Sequence, residues 1–199
     1  VAELGEVNLD ARRAARPGVV ERIARSRESF RERNRERMTS NEQQPLRPER
    51  MLAALDVQLS GDDIVVADAS YSSIWVSGFL TAKRAGQRFV LPRGIAGLGW
   101  GLPYALGAKV ASPKSRVVAV VGDGGFAHCW SEMETAIREE LPVTVILLNN
   151  SRLGFQANYD MFVWGRTSGA VEFAEVDHCA IARACGADAI RVERAEELD

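Results

Sequence analysis

The 199-residue chain carries 25 lysines and arginines against 27 aspartates and glutamates, a formal net charge of -2, and is 46% hydrophobic. That composition supplies one sizeable α/β core and lacks the basic field that neutralises a nucleic-acid backbone, so small-molecule chemistry fits better than a polyanionic partner. Cys129, Cys179 and Cys185 have no metal-ligand spacing and read as reduced, mostly buried thiols. With no leader-like N-terminus and no apolar run near the roughly 20 residues of a spanning helix, the expectation is a soluble cytoplasmic protein with no membrane partner.

Residues 1–47 differ in character from the rest of the chain. Arg12, Arg13, Arg16, Arg22, Arg25, Arg27, Arg31, Arg33, Arg35 and Arg37 are interleaved with Glu21, Glu28, Glu32 and Glu36, while Val19, Ile23 and Phe30 form only a thin apolar stripe. Mixed signs at helical spacing, Glu21 with Arg25 for example, predict a solvated, charged linker helix, and the glutamates argue against nucleic-acid binding. A turn-rich break at 39–41 and 45–48 precedes a helix beginning Pro48-Glu49-Arg50, whose apolar face is Met51, Leu52, Leu55 and Leu59. The folded domain, 48–199, is expected to start there.

Within it, strands alternate with helices. A β-branched strand over 64–67 is followed by a polar turn at 68–73 and a helix from Ile74; a strand over 88–91 is followed by the glycine-rich segment 94–101 and a small-residue helix over 102–111. A strand over 117–121 leads through Gly122-Asp123-Gly124-Gly125 into a helix ending near Arg138. An apolar strand over 143–148, a helix over 176–185 and a strand over 190–192 complete the pattern. This order predicts a doubly wound α/β fold, mostly parallel, with helices on both faces of the sheet.

In such sheets ligands sit at the carboxyl ends of the strands. Valines 117, 118, 120 and 121 deliver the chain into Gly122-Asp123-Gly124-Gly125, where glycines permit close backbone approach, free N–H groups favour phosphate oxygens and the aspartate suits a hard divalent cation. The next strand ends in Asn149-Asn150, which places Asn150 as a second oxygen donor, with a backbone carbonyl of the 151–152 loop as a third. Together these describe a diphosphate site bridged by magnesium, requiring no histidine.

Three segments, Gly94-Ile95-Ala96-Gly97-Leu98-Gly99-Trp100-Gly101-Leu102-Pro103, Gly122-Asp123-Gly124, and Leu148-Asn149-Asn150 with Gly154 shortly after, occur in this order and spacing. From about Pro48 to Leu198 the chain resembles the C-terminal cofactor domain of thiamine-diphosphate enzymes, in particular acetolactate synthase large subunits and their decarboxylase and carboligase relatives. The resemblance implies thiamine diphosphate and Mg2+ as cofactors, with Asp123, the Asn150 side chain and the Arg152 carbonyl as metal ligands. It implies Gly122, Gly124, Gly125 and Gly154 around the diphosphate, Leu98 propping the cofactor in a bent shape, and the backbone near Ala96 and Leu98 on the aminopyrimidine. Ser70, Tyr71 and Ser72 occupy the place where acetolactate synthases present glutamine and histidine to the diphosphate. Their hydroxyls are expected to contact phosphate oxygens.

No catalytic residue is assigned, because the resemblance places the activating glutamate on a separate pyrimidine-binding domain, commonly a partner subunit's. The implied activity is decarboxylation of a 2-keto acid followed by ligation to a second carbonyl, in a homo- or hetero-oligomer. A benzoylformate-type 2-keto acid decarboxylase and a non-catalytic, cofactor-binding assembly subunit stand beside it. Relatives continue beyond the 191–198 segment, so Asp199 reads as a truncation or processing point and the chain alone is expected to hold cofactor poorly and not to turn over. His128 and His178 read as helix packing. Gln156, Asn158, Tyr159, Trp164 and Arg166 fit either loop packing or a segment closing over the cofactor, with Arg166 facing a substrate carboxylate and Phe155 or Trp164 walling the pocket.

Overall fold

Apolar runs too short for helices pair side by side in the computed structural model, which describes residues 9–198. Strands β1 (Ile64–Ala67), β2 (Phe89–Val90), β3 (Val117–Gly122) and β4 (Thr144–Leu148) form one sheet of order β2-β1-β3-β4. All pairs are parallel, with Val65 opposite Phe89, Ile64 opposite Val117 and Val118 opposite Thr144. The chain steps from β1 out to β2, then crosses back over β1 to β3. Connections therefore diverge between β1 and β3, opening a crevice at their carboxyl ends.

Both faces of the sheet are covered because both sides of β1 and β3 are apolar, successive strand residues pointing to opposite sides. Ile64, Val66, Val117, Ala119 and Val121 pack with Leu102 and Leu106 of α4 (Gly101–Ala111), Phe126 of α5 (Asp123–Ala127), Met133 of α6 (Glu132–Arg138) and Ala182 of α8 (His178–Ala184). Val65, Ala67, Val118 and Val120 pack with Met51, Leu52 and Leu55 of α2 (Pro48–Gln58) and Val76 of α3 (Tyr71–Phe79). Leu52 and Val76 are wholly buried, so truncating either to alanine would cost about 2–4 kcal/mol.

The long charged segment is one helix, α1 (Asp10–Thr39), with no buried residue. Residues 9–29 are exposed throughout; at the far end Phe30 meets Phe79 edge-on at 5.1 Å and Arg37 lies 3.7 Å from buried Glu49. Glu21 and Arg25 pair at 2.9 Å. Among the described residues no helix is long and apolar enough to cross a membrane. The first eight residues and Asp199, with the processing point read there, lie outside the described residues.

Four expectations change. The helix after β1 begins at Tyr71, three residues before the expected Ile74, so Tyr71 and Ser72 belong to its first turn. The single helix expected to run to Arg138 is two, because the amides of His128, Cys129 and Glu132 bond three residues back, to Gly125, Phe126 and Cys129, and tighten the chain into turns. β2 has two residues instead of four. Residues 190–192 form no strand: Ile190 is 86% exposed, and Arg191 and Val192 line the crevice.

Candidate functional site

The crevice opens into a cavity of about 880 Å³, within the roughly 300–1,000 Å³ of small-molecule sites. Its walls come from all four strand ends: 68–72 after β1, Leu98 after β2, 122–125 at the end of β3 and 147–154 around the end of β4. Of the residues singled out from sequence, Ser70, Tyr71, Ser72, Leu98, Gly122, Asp123, Gly124, Gly125, Asn150, Arg152 and Gly154 line it. Ala96 does not: it is exposed, at φ +49°, outside the lining. Phe155, Trp164 and Arg166 are also absent from the walls. Gly154–Trp164 is a helix, α7, rather than a loop, and Trp164 is 71% exposed.

Two aspartates stand side by side at the ends of β1 and β3, Asp68 at 1% and Asp123 at 5% exposure. Asp68 accepts hydrogen bonds from the backbone N–H groups of Ala69 at 2.6 Å, Gly99 at 3.1 Å and Trp100 at 3.4 Å. These contacts tie the 97–100 segment to the end of β1 and so fix Leu98 in the wall. Gly99 permits the approach at φ +90°, where a Cβ would also fall 2.8 Å from His128 Cβ. In the sequence Asp68 reads as the first residue of a polar turn at a strand end, with no role of its own; its local sign is an acid ending a fully buried strand.

Asp123 is differently served. Its Oδ1 accepts from the Gly124 N–H at 3.0 Å, while Oδ2 is buried without a hydrogen-bond partner. A buried carboxylate oxygen left in that state is free to accept from a water or a ligand donor, or to bind a cation. The Gly124 amide thus contacts its own neighbour, Asp123. The glycines have a packing reason as well: a Cβ on Gly125 would lie 2.4 Å from Asp68 Oδ2, and one on Gly124 would lie 2.6 Å from Leu153 Cδ2.

Ser70 turns the chain at φ +67°, ψ -141°, a conformation rarely held by residues with a side chain, and its carbonyl accepts from Ser73 Oγ at 3.0 Å. That turn brings buried Ser72 to the β3 end, its Oγ 3.7 Å from where Gly122 would carry a Cβ. Asn150 also lines the cavity, its Nδ2 3.2 Å from the corresponding position on Gly154. The loop carrying Arg152 is clamped by the Leu153 N–H on Val171 O and the Phe173 N–H on Ser151 O, each 2.8 Å, and by an Arg152–Glu172 ion pair at 2.8 Å. Arg47, Arg191 and Arg194 also line the cavity. They come from opposite ends of the domain, and no local pattern announces them.

Neither histidine lines the cavity, and His178 stacks edge-on to Phe126 at 5.7 Å. Burial, helped by the neighbouring Asp68 charge, pushes the Cys129 thiol up to about 11, which keeps it protonated and unreactive at neutral pH. Among the described residues no three His, Cys, Asp or Glu side chains cluster to hold a metal. Of the three carboxylates that line the cavity, Asp68 is taken up by backbone N–H groups and Glu193 pairs with Arg191, which leaves Asp123 with the Asn150 amide and backbone carbonyls, a hard oxygen set that fits Mg2+ completed by phosphate oxygens and water.

Comparison with known proteins locates the same stretch of chain. The family model for the C-terminal TPP-binding domain of thiamine pyrophosphate enzymes matches residues 68–199. The putative thiamine pyrophosphate-containing protein YdaP of Bacillus subtilis (strain 168) is 34% identical over 154 residues, 77% of this chain and 26% of that protein. Acetolactate synthase isozyme 3 large subunit of Escherichia coli (strain K12) is 32% identical over 155 residues, 77% of this chain and 27% of its own length. A solved structure, the thiamine diphosphate-dependent 4-hydroxybenzoylformate decarboxylase of Rhodococcus jostii RHA1, superposes with a TM-score of 0.72 at 25% identity, covering 79% of this chain and 30% of that one. The chain thus spans about a quarter of the length of the curated relatives it matches.

Proposed function

The chain belongs to the thiamine pyrophosphate enzyme family, as its C-terminal TPP-binding domain, and from that premise we propose that the cavity holds thiamine diphosphate with Mg2+ as one half of an acetolactate synthase-like active site. The whole enzyme would decarboxylate a 2-keto acid and join the product to a second carbonyl compound. The observation that carries the proposal is the unpartnered Oδ2 of buried Asp123, in a cavity that Asn150 also lines.

Asp123, Asn150 and the Arg152 carbonyl would hold the metal, and the metal would hold the diphosphate. With a single carboxylate in the set, Mg2+ binding should depend on the phosphate oxygens that complete its shell. Ser72 would offer its hydroxyl to the diphosphate, and Gly122 and Gly125 their close backbone. Leu98, held by the Asp68 contacts, would press on the cofactor's apolar middle. Bound thiamine diphosphate supplies the carbanion stabilisation that decarboxylation of a 2-keto acid requires. These residues bind, orient and exclude water; proton transfer to the pyrimidine would come from a glutamate on a pyrimidine-binding partner domain or subunit.

Titrating thiamine diphosphate and Mg2+ together should raise the thermal midpoint, while either alone should raise it much less; no rise with both contradicts cofactor binding. A second reading, simple decarboxylation, is favoured by the structural likeness to an aryl 2-keto acid decarboxylase. Assembly with a pyrimidine-binding partner and supply of pyruvate or benzoylformate separates the two, since ligation of pyruvate yields acetolactate and decarboxylation alone yields carbon dioxide and the free aldehyde.

A further inference from the structure

Tyr71 occupies a phosphate-contacting place in the sequence, yet its hydroxyl and ring are turned to another element. The hydroxyl oxygen accepts a short hydrogen bond from Asn158 Nδ2. The ring stacks edge-on against Phe155 at 5.7 Å and comes within 3.4 Å of the position a Cβ would take on Gly154. All three partners belong to α7, which begins directly behind the 149–153 loop.

The rest of α7 is weakly anchored. Of its eleven residues only Ala157 is buried, and Phe162 and Trp164 are 90% and 71% exposed. At its first residue, Gly154, the Tyr71 ring and Asn150 Nδ2 converge on one point, the space a Cβ would fill. Any swing of α7 away from α3 therefore moves Gly154 relative to Asn150, a residue of the cavity wall. A local contact between two helices is in this way coupled to a residue of the candidate metal site.

We propose that the Tyr71–Asn158 hydrogen bond is a latch that holds α7 against α3, making Tyr71 a positioning residue for the Asn150 side of the cavity. The latch stands on geometry alone; its effect on ligand binding rests on the cofactor proposed above. Tyr71→Phe keeps the ring and removes the hydroxyl, and Asn158→Ala removes the donor while improving helix propensity, so any loosening of α7 cannot come from helix propensity. Asn158→Asp replaces the amide with a carboxylate that accepts from the Tyr71 hydroxyl and should restore the latch.

The test is amide hydrogen exchange across α7 in the ligand-free full chain, together with calorimetric binding of thiamine diphosphate with Mg2+. Loss of one neutral hydrogen bond should speed α7 exchange and weaken ligand binding by about threefold to tenfold. Tyr71→Phe and Asn158→Ala should each do so, their combination no more than either, and Asn158→Asp should return both quantities towards wild type. Unchanged exchange in Tyr71→Phe, or effects that multiply in the double variant, overturns the latch whatever the ligand does. Faster exchange with unchanged affinity overturns the coupling to the cavity. If the wild-type chain shows no binding, the cofactor proposal and the coupling fall together, while exchange still decides the latch.

Discussion

Asp68 and Asp123 end adjacent parallel strands, are almost equally buried and line one cavity, but their carboxylates are used differently. Asp68 is satisfied by three backbone N–H groups; Asp123 keeps one oxygen with no protein partner. The first is consumed by the fold, since it pins the 97–100 segment. The second is a polar group that the fold leaves for something else. Burial alone does not separate the two carboxylates; the hydrogen bonds around each do.

Several substitutions probe that contrast. Asp68→Ala should have the largest effect on the free chain, about 3 kcal/mol of lost stability, because buried amides lose a charged acceptor at once. Denaturant unfolding measures it, and a loss below about 1 kcal/mol would put Asp68 in the same class as Asp123. Gly125→Ala, whose new Cβ would lie 2.4 Å from Asp68 Oδ2, should cost about 1–3 kcal/mol by displacing that carboxylate. Gly107→Ala, mid-helix in α4 with nothing within 4 Å of the added carbon, should instead gain about 0.5–1 kcal/mol, which separates local crowding from a general intolerance of alanine for glycine.

A third aspartate supplies the smallest effect. Asp63 accepts from the Ser60 N–H at 2.7 Å and pairs with Arg116; burial works to raise its pKa, but the Arg116 and Ser60 contacts outweigh it and hold the carboxyl below its usual range. Its contribution to stability is therefore complete above the unfolded-state value of about 3.9 and is lost as pH falls through the lower folded value. Asp63→Asn should lower stability at neutral pH and flatten the acid limb of the stability profile below about pH 4. An unchanged acid limb would show that the Arg116 pairing does not persist in solution.

How far the sequence speaks depends on the range of each interaction. The runs at 64–67 and 117–121 and the apolar face of α2 are legible because burial on a sheet or helix leaves a periodic record in neighbouring residues. Gly122-Asp123-Gly124 and Asn149-Asn150 are legible as unusual chemistry at predicted strand ends. Tyr71 is not: its hydroxyl is turned to Asn158, 87 positions away, and no local pattern records that pairing. Likewise Arg47 and Arg194 line one cavity only after folding, and the 190–192 triad has strand-like residues but no neighbouring strand among the described residues. The split between α5 and α6 depends on turn hydrogen bonds that propensity does not resolve.

The most direct measurement compares thermal unfolding of the wild-type chain and Asp123→Ala, each with and without thiamine diphosphate plus Mg2+. Removing a carboxylate with an unpartnered oxygen should leave the ligand-free chain within about 1 kcal/mol of wild type. For the wild type, ligand at a hundredfold excess over its dissociation constant should add about 2.7 kcal/mol, a rise of roughly 5–10 °C in midpoint. Asp123→Ala should lose nearly all of that rise. An equal rise in both chains would contradict the proposal that Asp123 holds the metal and, through it, the diphosphate.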